Sequence, residues 1–112
     1  MTIGKNTSFS WDYSETSDIL NIRQSGKTTA GGAELGDFSI DFDKNGDIVG
    51  VEVINASDFF SQVGIGDLTD IKAAEIIIQK RDTYSIILLK FVFPQKTDIV
   101  PIPAPIVAEV AA

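Results

Sequence analysis

The chain contains no cysteine and no histidine. The first absence excludes disulfides, thiolate nucleophiles and cysteine-held metals. The second removes the commonest general base and the commonest transition-metal ligand. Acid–base chemistry would fall to carboxylates or lysine. Nor does any run approach the roughly 20 apolar residues of a membrane-spanning helix. The longest candidate, residues 99–108, is interrupted by Pro101, Pro103 and Pro105. Residues 1–6 hold no apolar stretch of signal-peptide length, so the expected compartment is the cytoplasm and no membrane partner is expected.

Basic residues are also scarce. Nine Lys and Arg face sixteen Asp and Glu, a formal charge of −7. The deficit is local: residues 34–70 carry nine acids against Lys44 alone, whereas residues 71–112 carry five basic and four acidic side chains. An acidic surface repels phosphate backbones, so no nucleic-acid partner is expected. A basic protein or a cation is what it would attract. The bland reading is a surface that keeps a small protein in solution.

What is present is enough for one domain: 112 residues, 44% hydrophobic and 22% charged. The dominant period is two. Phe9, Trp11 and Tyr13 alternate with Ser8, Ser10 and Asp12, the pattern of a half-buried strand. Aromatic residues at that period read as core rather than as a stacking platform. A second strand follows at 18–24. Residues 25–36, with four glycines and no periodicity, read as a loop. Strands at 37–43 and 47–54 flank Asn45-Gly46, the preferred pair of a two-residue type I′ turn. That turn sets Phe42 opposite Val49, Ile40 opposite Val51 and Phe38 opposite Val53, with all six apolar side chains on one face. Ser57 is a candidate cap for a short helix near 57–63, ended by Gly64 and Gly66. Residues 67–73 fit either a helical turn or a loop. Strands at 74–81 and 84–93 follow, joined at Asp82-Thr83.

The last of these strands is apolar on both faces: Ile86 and Leu88 on one, Ile87, Leu89, Phe91 and Phe93 on the other. Such a strand is covered on both sides. All four prolines fall in the last nineteen residues, which therefore read as an extended apolar tail. The tail docks on its own fold, docks on a neighbour, or stays disordered. Residues 1–93 form the expected β-rich domain and 94–112 the tail.

One stretch looks like chemistry. Residues 41–52 fit the calcium-loop pattern D-x-[DN]-x-[DN]-G-x₅-E, with Asp41, Asp43, Asn45, Asp47 and Glu52 as ligands. The flanks refuse it, because both alternate as strands and a calcium loop needs helices. A hairpin is expected, which leaves Asp41, Asp43 and Glu52 as weak cation candidates only. Other constellations are thinner still. Gly64-x-Gly66 lacks the rest of a phosphate-binding fingerprint, and Ser8, Ser10 and Ser57 have no base to activate them.

Residues 13–22 (YSETSDILNI) resemble the opening Y-D-x-x-x-D-x-L-Y-I of a small prokaryotic family, domain of unknown function 2283. Residues 40–57 are similar to its second block, D-x-D-x-x-G-x-I-V-G-I-E-I-L-x-A-S. Ser14 stands where that pattern has aspartate and Asn21 where it has tyrosine. The resemblance spans residues 13–57. It implies a small β-rich domain and no activity, the family being uncharacterised.

The expected fold is mainly β (α+β): an antiparallel sheet of about six strands in hairpins with one short helix near 57–63. The leading expectation is a non-enzymatic binding or assembly module without cofactors, a homodimer or other homo-oligomer through the last strand or tail. A second is an accessory protein that holds a basic partner with its acidic middle. A third is a carboxylate-based hydrolase or cation site around Asp41, Asp43 and Glu52.

Overall fold

The computed structural model describes residues 1–102 and the backbone of a short strand at Ile106–Val107. Strands β1 (Thr2–Lys5), β2 (Phe9–Ser14), β3 (Ile19–Gln24), β4 (Gly31–Leu35), β5 (Phe38–Phe42) and β6 (Ile48–Ile54) form an antiparallel sheet in the order β1-β2-β3-β6-β5-β4. Helix α1 (Ala56–Gln62) and one 3₁₀ turn (Leu68–Asp70) lead to the second sheet. There β8 (Tyr84–Val92) lies between β7 (Ala73–Lys80) on one side and β9 (Thr97–Pro101) with β10 (Ile106–Val107) on the other. The fold is thus mainly β, as expected, but its strands divide between two sheets.

Period-two alternation builds the core. Trp11, Ile22, Val51 and Ile40 stand side by side across four strands, and Tyr13, Leu20, Val53 and Phe38 form the next row. All eight are buried. The second sheet closes over them with Ala74, Ile87, Leu89, Phe91, Val100 and Ile102, and α1 adds Phe60. Each large side chain so buried contributes about 1.5–3 kcal/mol. The aromatic pair on β2 is core, as its spacing implied. The Trp11 ring packs on Gly4 of β1, where an added Cβ would run into the indole.

Four expectations need correction. First, the glycine-rich stretch 25–36 is not all loop, because Gly31–Leu35 pairs with β5 as an edge strand. Its side chains are almost wholly exposed, so no apolar alternation announces it. Residues 2–5 likewise pair with β2. Second, Asn45-Gly46 is not a type I′ turn. Gly46 has φ +82°, but Asn45 does not have positive φ. Asp43 and Asp47 close the loop instead, with the Asp43 N–H donating to the Asp47 carbonyl at 2.9 Å. That three-residue loop pairs Phe42 with Ile48, and β6 then carries one extra residue before Asp41 meets Gly50. This β-bulge restores the expected partners Ile40–Val51 and Phe38–Val53.

Third, Ser57 does not cap α1 from the N-cap position. Asn55 occupies it, in a left-handed conformation and with no side-chain cap. The helix end does follow expectation. Gly64, at φ +87°, donates to the Ser61 carbonyl and Ile65 to that of Phe60, a Schellman motif. Fourth, the chain does not leave the domain at residue 93. Thr97–Pro101 pairs with β8, and Val100 and Ile102 are buried in the core. Proline is tolerated there because β9 is an edge strand. Apart from the backbone of Ile106–Val107, the expected tail beyond residue 102 lies outside the described residues.

Candidate functional site

Asp41, Asp43 and Glu52 do not converge. Asp41 accepts a hydrogen bond from Arg23 Nη1 at 3.1 Å. The two residues flank Gly50 in one cross-strand row, and a Cβ on Gly50 would stand 3.1 Å from both charged groups. Glycine there lets the ion pair span two strand spacings. The pair is about one-third exposed, so it contributes less than about 1 kcal/mol. Asp43 holds the turn: its Oδ1 accepts from the N–H groups of Asn45 at 2.9 Å and Asp47 at 3.0 Å. Glu52 faces Asn21 on one side and Ser39 on the other. Asp43 lines a depression with Lys27, Thr28 and Asn45 that neither Asp41 nor Glu52 borders. Among the described residues no three His, Cys, Asp or Glu side chains are placed to hold a metal.

A tighter constellation was not singled out by sequence reasoning. Asp18, in the β2–β3 turn, has φ +57°. Its Oδ1 accepts from the Tyr13 hydroxyl at 2.6 Å and from the Ser57 N–H at 3.0 Å. Its Oδ2 accepts from the Ser57 hydroxyl at 2.8 Å, and its carbonyl accepts from the Ala56 N–H. Asp18 therefore caps α1 from 39 residues away, satisfying helix N–H groups that have no partner within the helix. Its negative charge also suits the positive end of the helix dipole. The readable signal was the spacing Tyr13-x₄-Asp18 together with Ala56-Ser57, all four within the family-like blocks. What the arrangement does chemically is hold neutral and charged partners in place. The base beside the Ser57 hydroxyl is the Asp18 carboxylate, whose two oxygens are already taken up by Tyr13 and by the start of α1.

The cluster carries a pH signature. Burial works against the Asp18 carboxylate, but the hydrogen bonds from Tyr13 and Ser57 outweigh it and hold its pKa below the ordinary value. The stability that Asp18 adds is thus complete above about pH 4 and lost as pH falls through the depressed value. Burial, then the Asp18 hydrogen bond and charge, push the Tyr13 phenol up from 10.0 to about 12. Its contribution is complete below pH 10.0 and lost as pH rises through about 12. In a Tyr84→Phe background, phenolate absorbance should report a Tyr13 midpoint near 12. A midpoint near 10 would show that the phenol is not held.

The second sheet presents a different surface. Alternation that sends Ile87, Leu89 and Phe91 into the core leaves Ile86, Leu88, Lys90 and Val92 on the outer side of β8. Ile77 of β7 is opposite Leu88, and Ile99 of β9 is opposite Lys90. None of these apolar residues belongs to the core cluster, and Ile99 is 55% exposed. Charge on this outer face comes from Glu75 and Lys90, cross-strand partners 4.0 Å apart, and from Arg81 at the hairpin end, whose guanidinium donates to Gln79 at 3.2 Å.

Fold and site together define a small two-sheet antiparallel β domain with a flat apolar outer face and a capped helix between the sheets. Residues 11–57 match the model of a family described as a protein of unknown function (DUF2283). Over 50 residues the chain is 42% identical to the uncharacterized protein MJ0789 of Methanocaldococcus jannaschii, a stretch that covers 45% of this chain and 43% of that protein. The chain thus matches less than half the length of this curated relative. No solved structure matches. The matched segment runs from β2 to the first turn of α1 and contains both the Tyr13–Asp18–Ser57 cluster and the Arg23–Gly50–Asp41 row. The second sheet lies outside it. Among the described residues no helix is long and apolar enough to cross a membrane.

Proposed function

We propose that this chain is a small non-enzymatic assembly module that associates with itself through the last long strand. The observation that carries the reading is the outer side of β8, where Ile86, Leu88 and Val92 lie beside Ile77 and Ile99 away from the core. An extended apolar surface of this kind normally marks a contact. The commitments of Asp41 to Arg23 and Asp43 to its own turn weigh against a hydrolase or cation site there. Light scattering on the eluting full chain tests the reading. A mass above one chain that rises with concentration is expected; one chain at every concentration would overturn it.

A second reading, capture of a basic protein, has its own support. Glu34, Ser39, Glu52, Asn21 and Asp12 form one cross-strand row on the outer face of the first sheet. Salt separates the two. Charge-led capture weakens as ionic strength rises, whereas apolar association does not.

A further inference from the structure

We infer that the occupant of the outer face of the second sheet is a second copy of the same face, packed about a two-fold axis with the Glu75–Lys90 pair of each copy against that of the other. The inference rests on the self-association reading and specifies its surface. Charge selects the occupant. The chain carries −7, and residues 34–70 alone carry nine acids against one lysine, so two copies repel over most of their surfaces. They meet without that penalty only where the local field is weak.

The outer side of the second sheet comes nearest to this condition, since Glu75 and Lys90 cancel within it and Arg81 adds a single cation at its hairpin end. A basic partner would find no excess negative charge to hold on to. A two-fold contact is isologous, so each patch must complement itself. One anion beside one cation does so, because rotation about the axis can set each charge against its opposite. Three strands about 4.8 Å apart and up to nine residues long present a face of roughly 30 by 14 Å. Two such faces make an interface at or below the low end of the specific range, so weak, concentration-dependent association is expected.

Complementary charge variants test this. Glu75→Lys makes the 75/90 pair two cations and Lys90→Glu makes it two anions. Both side chains are more than one-third exposed, so both variants should fold, which circular dichroism checks. Each variant alone should weaken association at least about tenfold, and an equimolar mixture of the two should recover the native mass. Ile99→Lys, at a position 55% exposed and outside the core cluster, should weaken association likewise. If the native chain associates and both charge variants do so equally well, the face is wrong while self-association stands. If the variants dissociate but their mixture does not recover, the two-fold pairing is wrong. A native chain that is monomeric throughout removes the reading on which the inference rests.

Discussion

Phe60→Ala is expected to cost about 3–5 kcal/mol of unfolding free energy, read from the urea midpoint at unchanged slope. Phe60 is fully buried and sits in a chain of rings that crosses the molecule. Phe38 of β5 meets Phe59 edge-on at 5.1 Å, Phe59 meets Phe60 at 4.9 Å, and Phe60 meets Phe91 of β8 at 5.3 Å. Such edge contacts add to the burial of the rings themselves. The seven-residue helix α1 is too short to be stable alone. It persists because these rings bind it to both sheets. Phe60→Leu, which keeps most of the apolar volume, should cost clearly less. A loss below about 1 kcal/mol for alanine would mean that the ring does not join the sheets.

Asp18→Ala is the second large effect, about 2–4 kcal/mol. Three consequences combine. The helix loses its cap, worth about 1 kcal/mol. The Tyr13 hydroxyl loses its acceptor in a largely buried site, worth about 1–3 kcal/mol. Alanine must also adopt the left-handed backbone that aspartate and asparagine tolerate better. Asp18→Asn keeps the backbone tolerance and one acceptor oxygen, so it should lose less. Because α1 closes over the same core as the second sheet, the alanine variant should also unfold at lower temperature, by several degrees for a domain of this size.

The legible parts of the fold were those where one face is apolar and the other polar. Phe38, Ile40, Val51 and Val53 could be paired because a one-residue slip would expose them. The turn between them was placed but mistyped. Three residues separate Asp43 from Asp47, and the bulge after Ile48 corrects the register. Strand β4 was missed because Gly31, Gly32, Ala33 and Glu34 bury nothing, and their pairing with β5 is a backbone matter. Strand β9 is hidden in the sequence because its proline reads as the start of a tail, although an edge position accommodates it.

The candidate site divides the same way. That Asp41, Asp43 and Glu52 would not form a calcium cage followed from their flanking alternation. That Asp18 would cap a helix 39 residues ahead did not, because the contact depends on how the β2–β3 turn packs beside the start of α1. The outer face of the second sheet was legible as a strand apolar on both sides, and the structure supplied its neighbours Ile77 and Ile99. The matched segment 11–57 contributes a sheet whose apolar face needs a cover. In this chain residues 65–102 supply it, through Ile65, Leu68, Ile71 and the core residues of β7, β8 and β9.

The account rests on the reading of Tyr13, Asp18 and Ser57 as a lock that holds the fold. A double-mutant cycle on the unfolding free energies of Tyr13→Phe, Asp18→Ala and the double variant tests it most directly. The hydroxyl should be worth about 1 kcal/mol in the native chain, whereas once Asp18 is alanine its removal should cost nothing or even restore stability, because it is then a buried donor without an acceptor. Losses that simply add would mean that Tyr13 and Asp18 act independently, and the lock would have to be given up.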